Sequence, residues 1–127
     1  DCALEACLEA AYDVVVAPGG LGHKTLAEDP RVLDLLRRHA GQSGRIGSIC
    51  AGPVVLDRAG LLQGRTFTSF PGTAQQLPDR DPSRKVIREE NLVTAQGAGC
   101  AVEFALELVD LLCGPEKRKE IAGAICH

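Results

Sequence analysis

Residues 44–53 read GRIGSICAGP, and this stretch decides the fold class. Gly44 breaks the chain before residues 45–49, which are predicted as a strand. Residues 51–62 are predicted as a helix, in which Pro53 is tolerated because it falls in the first turn. A strand that turns directly into a helix at Cys50 indicates the βα unit of an α/β fold.

The same alternation continues on both sides of this stretch. Residues 12–17 form a β-branched run closed by Pro18-Gly19-Gly20, and Asp29 and Pro30 supply the cap and first residue of a helix. Strands alternating with helices predict an α/β domain with a doubly wound, mostly parallel sheet and helices on both faces. The remaining predicted elements are helices at 1–11 and 101–113 and strands at 65–70, 85–88 and 92–95. The apolar face of the helix at 101–113 is predicted to consist of Val102, Ala105, Leu106, Val109 and Leu112.

The chain is predicted to be a single domain, 1–127, that lacks the first βα unit of its sheet. A doubly wound sheet normally begins with a strand, whereas this sequence opens in a predicted helix with no capping residue before Cys2. We therefore expect the chain to be the C-terminal portion of a longer domain, whose missing N-terminal segment completes it.

Composition places the chain among ordinary globular proteins. Hydrophobic residues make up 45% and charged residues 24% of its 127 residues, and the aromatic fraction of 3% means that aliphatic side chains must build the core. The formal net charge of -3 and the absence of a Lys/Arg cluster argue against a specific nucleic-acid surface. No apolar run approaches the length of a membrane-spanning helix, so no membrane partner is expected.

The cysteines and histidines are too scattered to indicate a metal site. They form no C-x-x-C pair, and no histidine lies at ligand spacing from a cysteine. Reduced thiols are expected, most of them small core residues. The cysteines are Cys2, Cys7, Cys50, Cys100, Cys113 and Cys126.

Cys50 is the candidate reactive residue. The tight turn of a nucleophile elbow requires small residues two before and two after the nucleophile, and Ser48 and Gly52 meet that requirement. A helix N-terminus favours the thiolate, so we expect the pKa of Cys50 to lie below the roughly 8.5 of a free cysteine. The alternative is an unreactive cysteine packed between strand and helix.

Backbone N–H groups near Cys50 are the predicted anion-binding groups. Gly19 and Gly20 end the neighbouring strand at the same edge of the sheet, where ligands bind in open α/β sheets. Their N–H groups and that of Ala51 are therefore expected to approach an oxyanion.

The sequence offers no obvious catalytic base. The residue after Cys50 is Ala51, so there is no adjacent Cys-His dyad. His23, just past the Gly-Gly turn, is placed to approach the pocket. His39 closes a helix and His127 is terminal, and both are interpreted as solvated side chains.

Several short motifs occur in one order along the chain: YDVVV at 12–16 with PGG at 18–20, SICAGP at 48–53, FP at 70–71, and QG at 96–97 leading to EFAL at 103–106. From near residue 1 to the region of Gly114, this pattern resembles the DJ-1 branch of the ThiJ/PfpI superfamily. The resemblance implies a flavodoxin-like homodimer without a cofactor. It also implies a cytoplasmic protein, with mitochondrial or nuclear pools as alternatives.

The resemblance implies a chemistry for Cys50. Activities in the family include a cofactor-free glyoxalase that turns methylglyoxal into lactate, a reported deglycase action on glycated proteins, and redox-dependent chaperone behaviour. On this basis Cys50 forms a hemithioacetal with the aldehyde, and the N–H groups of Gly20 and Ala51 bind its oxygen. Phe70 and Pro71 line the pocket.

The sequence departs from the family pattern at three points. The family's glutamate, which lies on its first helix and hydrogen-bonds the cysteine, has no counterpart in this chain, so the acid/base group is left unassigned. Phe70 stands where the human-type branch has a histidine. Ala98 and Cys100 replace a proline and a threonine in the loop 96–100, which the resemblance places near the dimer interface.

Two functions fit this pattern. The first is an enzyme acting on small α-oxoaldehydes or their protein adducts, with a role in oxidative stress. The second is a non-enzymatic redox sensor or chaperone in which peroxide oxidises Cys50. A PfpI-type peptidase requires a histidine where this chain has Ala51, and glutamine amidotransferases require a downstream His-x-Glu that is absent.

Overall fold

The computed structural model describes all residues, 1–127, as four strands and five α-helices joined by turns and loops. None of the helices is both long enough and apolar enough to cross a membrane. The strands are β1 (Val14–Ala17), β2 (Arg45–Ile49), β3 (Val86–Glu89) and β4 (Leu92–Ala95). The helices are α1 (His23–Glu28), α2 (Pro30–Gly41), α3 (Pro53–Arg58), α4 (Ala101–Cys113) and α5 (Pro115–Ala124).

The strands form one mostly parallel sheet in the order β1-β2-β4-β3. β2 lies between β1 and β4 and is parallel to both. β3 is antiparallel to β4, because only Glu90 and Asn91 separate the paired residues Glu89 and Leu92, and a two-residue hairpin reverses the chain. The sheet confirms the predicted α/β class.

Helices cover both faces of the sheet. Consecutive residues of β2 face opposite sides and contact different helices. Ile46 packs with α2 and α3 in the larger apolar core. Its neighbour Gly47 faces the other way, where the side chains of Phe104 and Leu108 on α4 pack against it. The central strand is therefore buried on both faces, which is typical of a doubly wound sheet.

The start and end of α2 are fixed by side chains that bond the backbone. Asp29 accepts a hydrogen bond from the Arg31 N–H at 2.9 Å, and Pro30 occupies the first turn, as predicted. At the other end His39 is buried, and its Nε2 donates to the Arg45 carbonyl at 2.8 Å. The interpretation of His39 as a solvated side chain is therefore wrong.

The predicted strand at 65–70 is not formed. The Thr66 N–H donates to Glu89 Oε2 at 2.8 Å, and the Thr68 N–H donates to Thr94 Oγ1 at 3.0 Å. Side-chain oxygens thus accept the hydrogen bonds that a neighbouring strand would otherwise accept. Residues 65–70 therefore alternate in polarity as a strand does but do not pair with one.

The helix predicted at 1–11 is reduced to one 3₁₀ turn, Leu4–Ala6. None of its residues is buried, and short helices need a packed face to be stable. The helix predicted at 51–62 is likewise shorter, because α3 ends at Arg58, two residues before Gly60, whose φ is 77°.

The C-terminal helices differ from the prediction in their packing. α4 has the predicted bounds, but Phe104 and Leu106 are its buried residues, whereas Val102 and Ala105 are exposed. α5 was not predicted, and its Arg118 binds Glu103 and Glu107 of α4. Because α4 is apolar on more than one side, periodicity alone does not select the face that meets the sheet.

Candidate active site

The turn between β2 and α3 holds Cys50 in a strained backbone conformation. Its φ of 62° lies in the left-handed region, which residues other than glycine rarely adopt. The Cys50 N–H donates to the Ala95 carbonyl at 2.9 Å, and the Cys50 carbonyl accepts from the Phe70 N–H at 2.8 Å. Strain of this kind costs about 1–3 kcal/mol and persists only where neighbouring contacts fix it. The geometry is that of a nucleophile elbow.

Ser48 and Gly52 pack the elbow against the end of β1. The fully buried Ser48 hydroxyl donates to the Ala17 carbonyl at 3.1 Å. A Cβ on Gly52 would lie 2.5 Å from Ser48 Oγ and overlap the Ala17 carbonyl oxygen. Both positions therefore require small residues.

Gly19 brings the loop after β1 directly onto Cys50. A Cβ on Gly19 would lie 2.6 Å from the Cys50 Cβ and 3.0 Å from the Ala51 nitrogen. Side-chain atoms are essentially never this close, so only glycine fits without displacing the elbow. The two predicted segments, PGG and ICAGP, thus meet at one point.

Cys50 is half-buried and opens onto a cleft of about 450 Å³. Apolar side chains stand at its rim, with Leu21 86% and Phe70 46% exposed. The residues lining the cleft are Gly20, Leu21, His23, Lys24, Cys50, Ala51, Phe70, Gly72, Thr73 and Gln76.

Four residues of the cleft lining, Gly20, Leu21, Ala51 and Gly72, have backbone N–H groups that donate to no backbone or side-chain atom. Gly20 and Ala51 are the two of these that the sequence predicted as anion-binding groups. Backbone N–H groups are nearly always paired, so unpaired donors in a cleft that holds a thiol are available to an anion or a carbonyl oxygen.

His23 begins α1 and lies in the same cleft, 9% exposed. Its Nδ1 is 2.7 Å from the Gly20 carbonyl oxygen. A carbonyl only accepts hydrogen bonds, so Nδ1 carries a proton and Nε2 of the neutral ring is left as the basic nitrogen. The other histidines lie elsewhere: His39 in the core and His127 against Glu103.

Pro71 does not line the Cys50 cleft. It lines an adjacent cleft of about 300 Å³ on the other side of Phe70, together with Lys85 and Cys100. The thiol of Cys100 donates to the Gly97 carbonyl at 3.1 Å there. Of the two predicted pocket residues, Phe70 lines both clefts and Pro71 lines only the adjacent one.

Five cleft residues were not predicted from the sequence: Leu21, Lys24, Gly72, Thr73 and Gln76. Lys24 lies in α1, a helix that was not predicted, and the other four lie in turns outside the predicted strands and helices. The Thr73 hydroxyl donates to the Phe70 carbonyl at 2.8 Å, so it also fixes the aromatic wall of the cleft. The one local feature of the sequence that could have placed Lys24 in the cleft is its position just beyond the Gly-Gly turn.

The structure has no group of three or more His, Cys, Asp or Glu side chains that could hold a metal ion. All six cysteines are free thiols and none is buried, so the prediction that most of them are small core residues is wrong. The cleft lining therefore offers one thiol, one imidazole, one ammonium group, a hydroxyl, a side-chain amide and unpaired backbone donors.

Comparisons with known proteins show relatives of the same fold. The model of the DJ-1/PfpI family matches residues 1–111. Protein dj-1beta of Drosophila melanogaster is 40% identical over 118 residues, covering 90% of this chain, and its crystal structure superposes with a TM-score of 0.92 over 97% of the chain.

The name of a second relative states an enzymatic activity. Glutathione-independent glyoxalase DJR-1.2 of Caenorhabditis elegans is 34% identical over 133 aligned residues, which cover 99% of this chain and 69% of the worm protein. The chain spans 63% of the length of the Drosophila relative.

Proposed function

Because this chain belongs to the DJ-1/PfpI family, we propose that it is a cofactor-independent enzyme in which Cys50 attacks methylglyoxal-type α-oxoaldehydes or their adducts on proteins. The observation that carries the proposal is a cysteine held at φ 62° on the wall of a cleft that also contains unpaired N–H donors. A glyoxalase-type role is in keeping with the name of the worm relative.

The first step is addition of the thiolate to the aldehyde. The Cys50 Sγ forms a bond to the aldehyde carbon, and the carbonyl π electrons move to the oxygen. The N–H groups of Gly20 and Ala51 donate to that oxygen as its charge develops. Lys24 lines the same cleft and brings a positive charge to it as the oxygen becomes negative.

Proton transfer then converts the hemithioacetal into a thioester. We assign this transfer to Nε2 of His23, the basic nitrogen that the Gly20 carbonyl leaves free. Nε2 takes the proton from the former aldehyde carbon and returns one to the adjacent carbon, giving a lactoyl thioester on Cys50. Water hydrolyses the thioester, which releases lactate and restores the thiol, so that one methylglyoxal and one water give one lactic acid.

The shape of the cleft suits a small substrate. A volume of about 450 Å³ lies within the range of small-molecule sites, and its rim is formed by Leu21 and Phe70. These apolar side chains would contact the methyl group of methylglyoxal, and the exposed rim leaves room for an adduct on a protein side chain. We propose that the protein acts as a cytoplasmic homodimer with a role in oxidative stress.

The half-buried thiol also supports a second function, a redox sensor or chaperone in which peroxide oxidises Cys50. Proton NMR of methylglyoxal incubated with the protein distinguishes the two. Many lactate molecules formed per protein molecule support the enzyme. No lactate, together with selective oxidation of Cys50 by one equivalent of peroxide, supports the sensor.

A further inference from the structure

A second pair of thiols lies outside the Cys50 cleft. The Cys2 and Cys7 sulfur atoms are 3.4 Å apart and share a hydrogen bond, and both are accessible at the surface. The 3₁₀ turn Leu4–Ala6 between them folds the chain back so that the two side chains meet. No other pair of cysteines in the chain is hydrogen-bonded.

The segment that carries this pair is fixed to the rest of the domain. Glu5 pairs with Arg31 of α2, and Arg38 of α2 donates to the Leu8 carbonyl. The Tyr12 hydroxyl donates to the Cys7 carbonyl at 3.0 Å. The thiols therefore face each other on a supported turn.

The two sulfurs are already in contact. An S–S bond is roughly 2.05 Å long, so from 3.4 Å they need to approach by roughly 1.4 Å. The hydrogen bond to Cys7 raises the pKa of the Cys2 thiol, and repulsion between the two sulfurs as anions raises it further. A raised pKa keeps Cys2 a thiol to higher pH; it is the contact between the two sulfurs that lets one attack the other once that other is oxidised.

We propose that Cys2 and Cys7 form a reversible intramolecular disulfide when the protein meets a hydroperoxide, as an oxidation site separate from Cys50. One thiolate attacks the peroxide oxygen and becomes a sulfenic acid, releasing the first water after protonation. The other thiol then attacks that sulfur, the S–O bond breaks, and a second water leaves. Two thiols are oxidised by two electrons and one hydroperoxide is reduced; with an organic hydroperoxide, an alcohol replaces the first water.

Tyr12 provides an optical signal for the reaction. It is the one tyrosine of the chain, which has no tryptophan, and its hydroxyl bonds the Cys7 backbone. A disulfide close to a tyrosine quenches its fluorescence, whereas a thiol pair quenches it far less. Oxidation of the pair is therefore expected to lower the intrinsic fluorescence of the protein.

The test uses the full chain with Cys50→Ser, so that oxidation of Cys50 cannot contribute. One equivalent of hydrogen peroxide is expected to reduce the intact mass by two hydrogen atoms, to link Cys2 to Cys7 in the peptide map, and to lower Tyr12 fluorescence. Dithiothreitol is expected to reverse all three changes. The double variant Cys50→Ser, Cys7→Ser should show none of the three changes. The double variant Cys50→Ser, Cys113→Ser, which removes an exposed cysteine elsewhere, should still show all of them.

Three results would overturn the proposal. The first is oxygen addition to Cys2 and Cys7 without a bond between them. The second is a disulfide that joins either one to another cysteine. The third is a Cys2–Cys7 bond that forms no faster in the folded chain than in the same chain unfolded in urea, because the folded geometry would then contribute nothing.

Discussion

Gly19 lies so close to Cys50 that a Cβ on Gly19 would be 2.6 Å from the Cys50 Cβ and 3.1 Å from its sulfur. Hydrogen bonds from Cys50 N–H to Ala95 and from Phe70 N–H to the Cys50 carbonyl hold the elbow in place. Cys50 cannot move without loss of these bonds, so the position of the thiol depends on the absence of a side chain at residue 19.

Gly19→Ala is therefore expected to displace the thiol and to lower methylglyoxal turnover by up to about 100-fold, the cost of a misplacement of roughly 1 Å. Gly22→Ala is the matched control, because a Cβ there meets no atom within 4 Å and the backbone is already helical. Rates of lactate formation for the two variants measure the difference. Equal rates would show that the contact between residues 19 and 50 does not position the thiol.

Gly52→Ala is expected to destabilise the fold. The added Cβ would overlap the Ala17 carbonyl and lie 2.5 Å from Ser48 Oγ, both in rigid, buried surroundings. Overpacking of this kind costs about 1–3 kcal/mol of the free energy of unfolding. Gly123→Ala in α5, where a Cβ meets nothing, should instead gain roughly 0.5–1 kcal/mol. Urea unfolding measures both, and a stable Gly52→Ala would contradict the packing described for the elbow.

His23→Asn tests the assigned proton transfer. The asparagine amide can still donate to the Gly20 carbonyl, but it removes the basic Nε2. We expect turnover to fall by about 100-fold or more, because no other imidazole lines the cleft. His127→Asn, which lies outside the cleft lining, should leave the rate unchanged. A His23→Asn variant with the rate of the wild type would rule out this role.

The turn at Asp81 is expected to lose its hydrogen bonds in acid. Hydrogen bonds from the Ser83 hydroxyl and from Arg84 lower the pKa of Asp81 from 3.8 to about 2. A lowered pKa stabilises the folded state above pH 3.8, and this contribution is lost as the pH falls through about 2. The Ser83 amide signal in NMR should follow this titration and should lose it in Asp81→Asn. A Ser83 titration centred at the ordinary carboxyl pKa would be inconsistent with these bonds.

Elements with strong local signals could be predicted from the sequence to the residue. β2, β4 and α4 begin and end where the sequence predicted. A glycine precedes β2, an asparagine precedes β4, and Gly114-Pro115 follows α4. The small residues around Cys50 likewise follow from the tight turn. These features depend only on residues that are close together in the chain, which is why a single sequence was enough to predict them.

Features that depend on distant residues could not be predicted. The extended chain at 65–70 stays unpaired because Glu89 and Thr94 bind its N–H groups. His23 enters the cleft through α1, a six-residue helix whose N-cap, Gly22, offers no side-chain cap to signal its start. Nor did the sequence show that Cys2 and Cys7 meet, since the turn between them is too short to have a periodic pattern.

The most direct measurement of the central claim is lactate production from methylglyoxal by Cys50→Ser and Cys113→Ser, compared by proton NMR with the wild type. Both variants exchange one sulfur for oxygen, but only Cys50 stands in the cleft beside the unpaired N–H groups of Gly20 and Ala51. We predict that Cys113→Ser turns over at the wild-type rate and that Cys50→Ser forms no lactate above the rate without protein. Lactate formed by Cys50→Ser at a rate comparable with the wild type would contradict the assignment of Cys50 as the nucleophile.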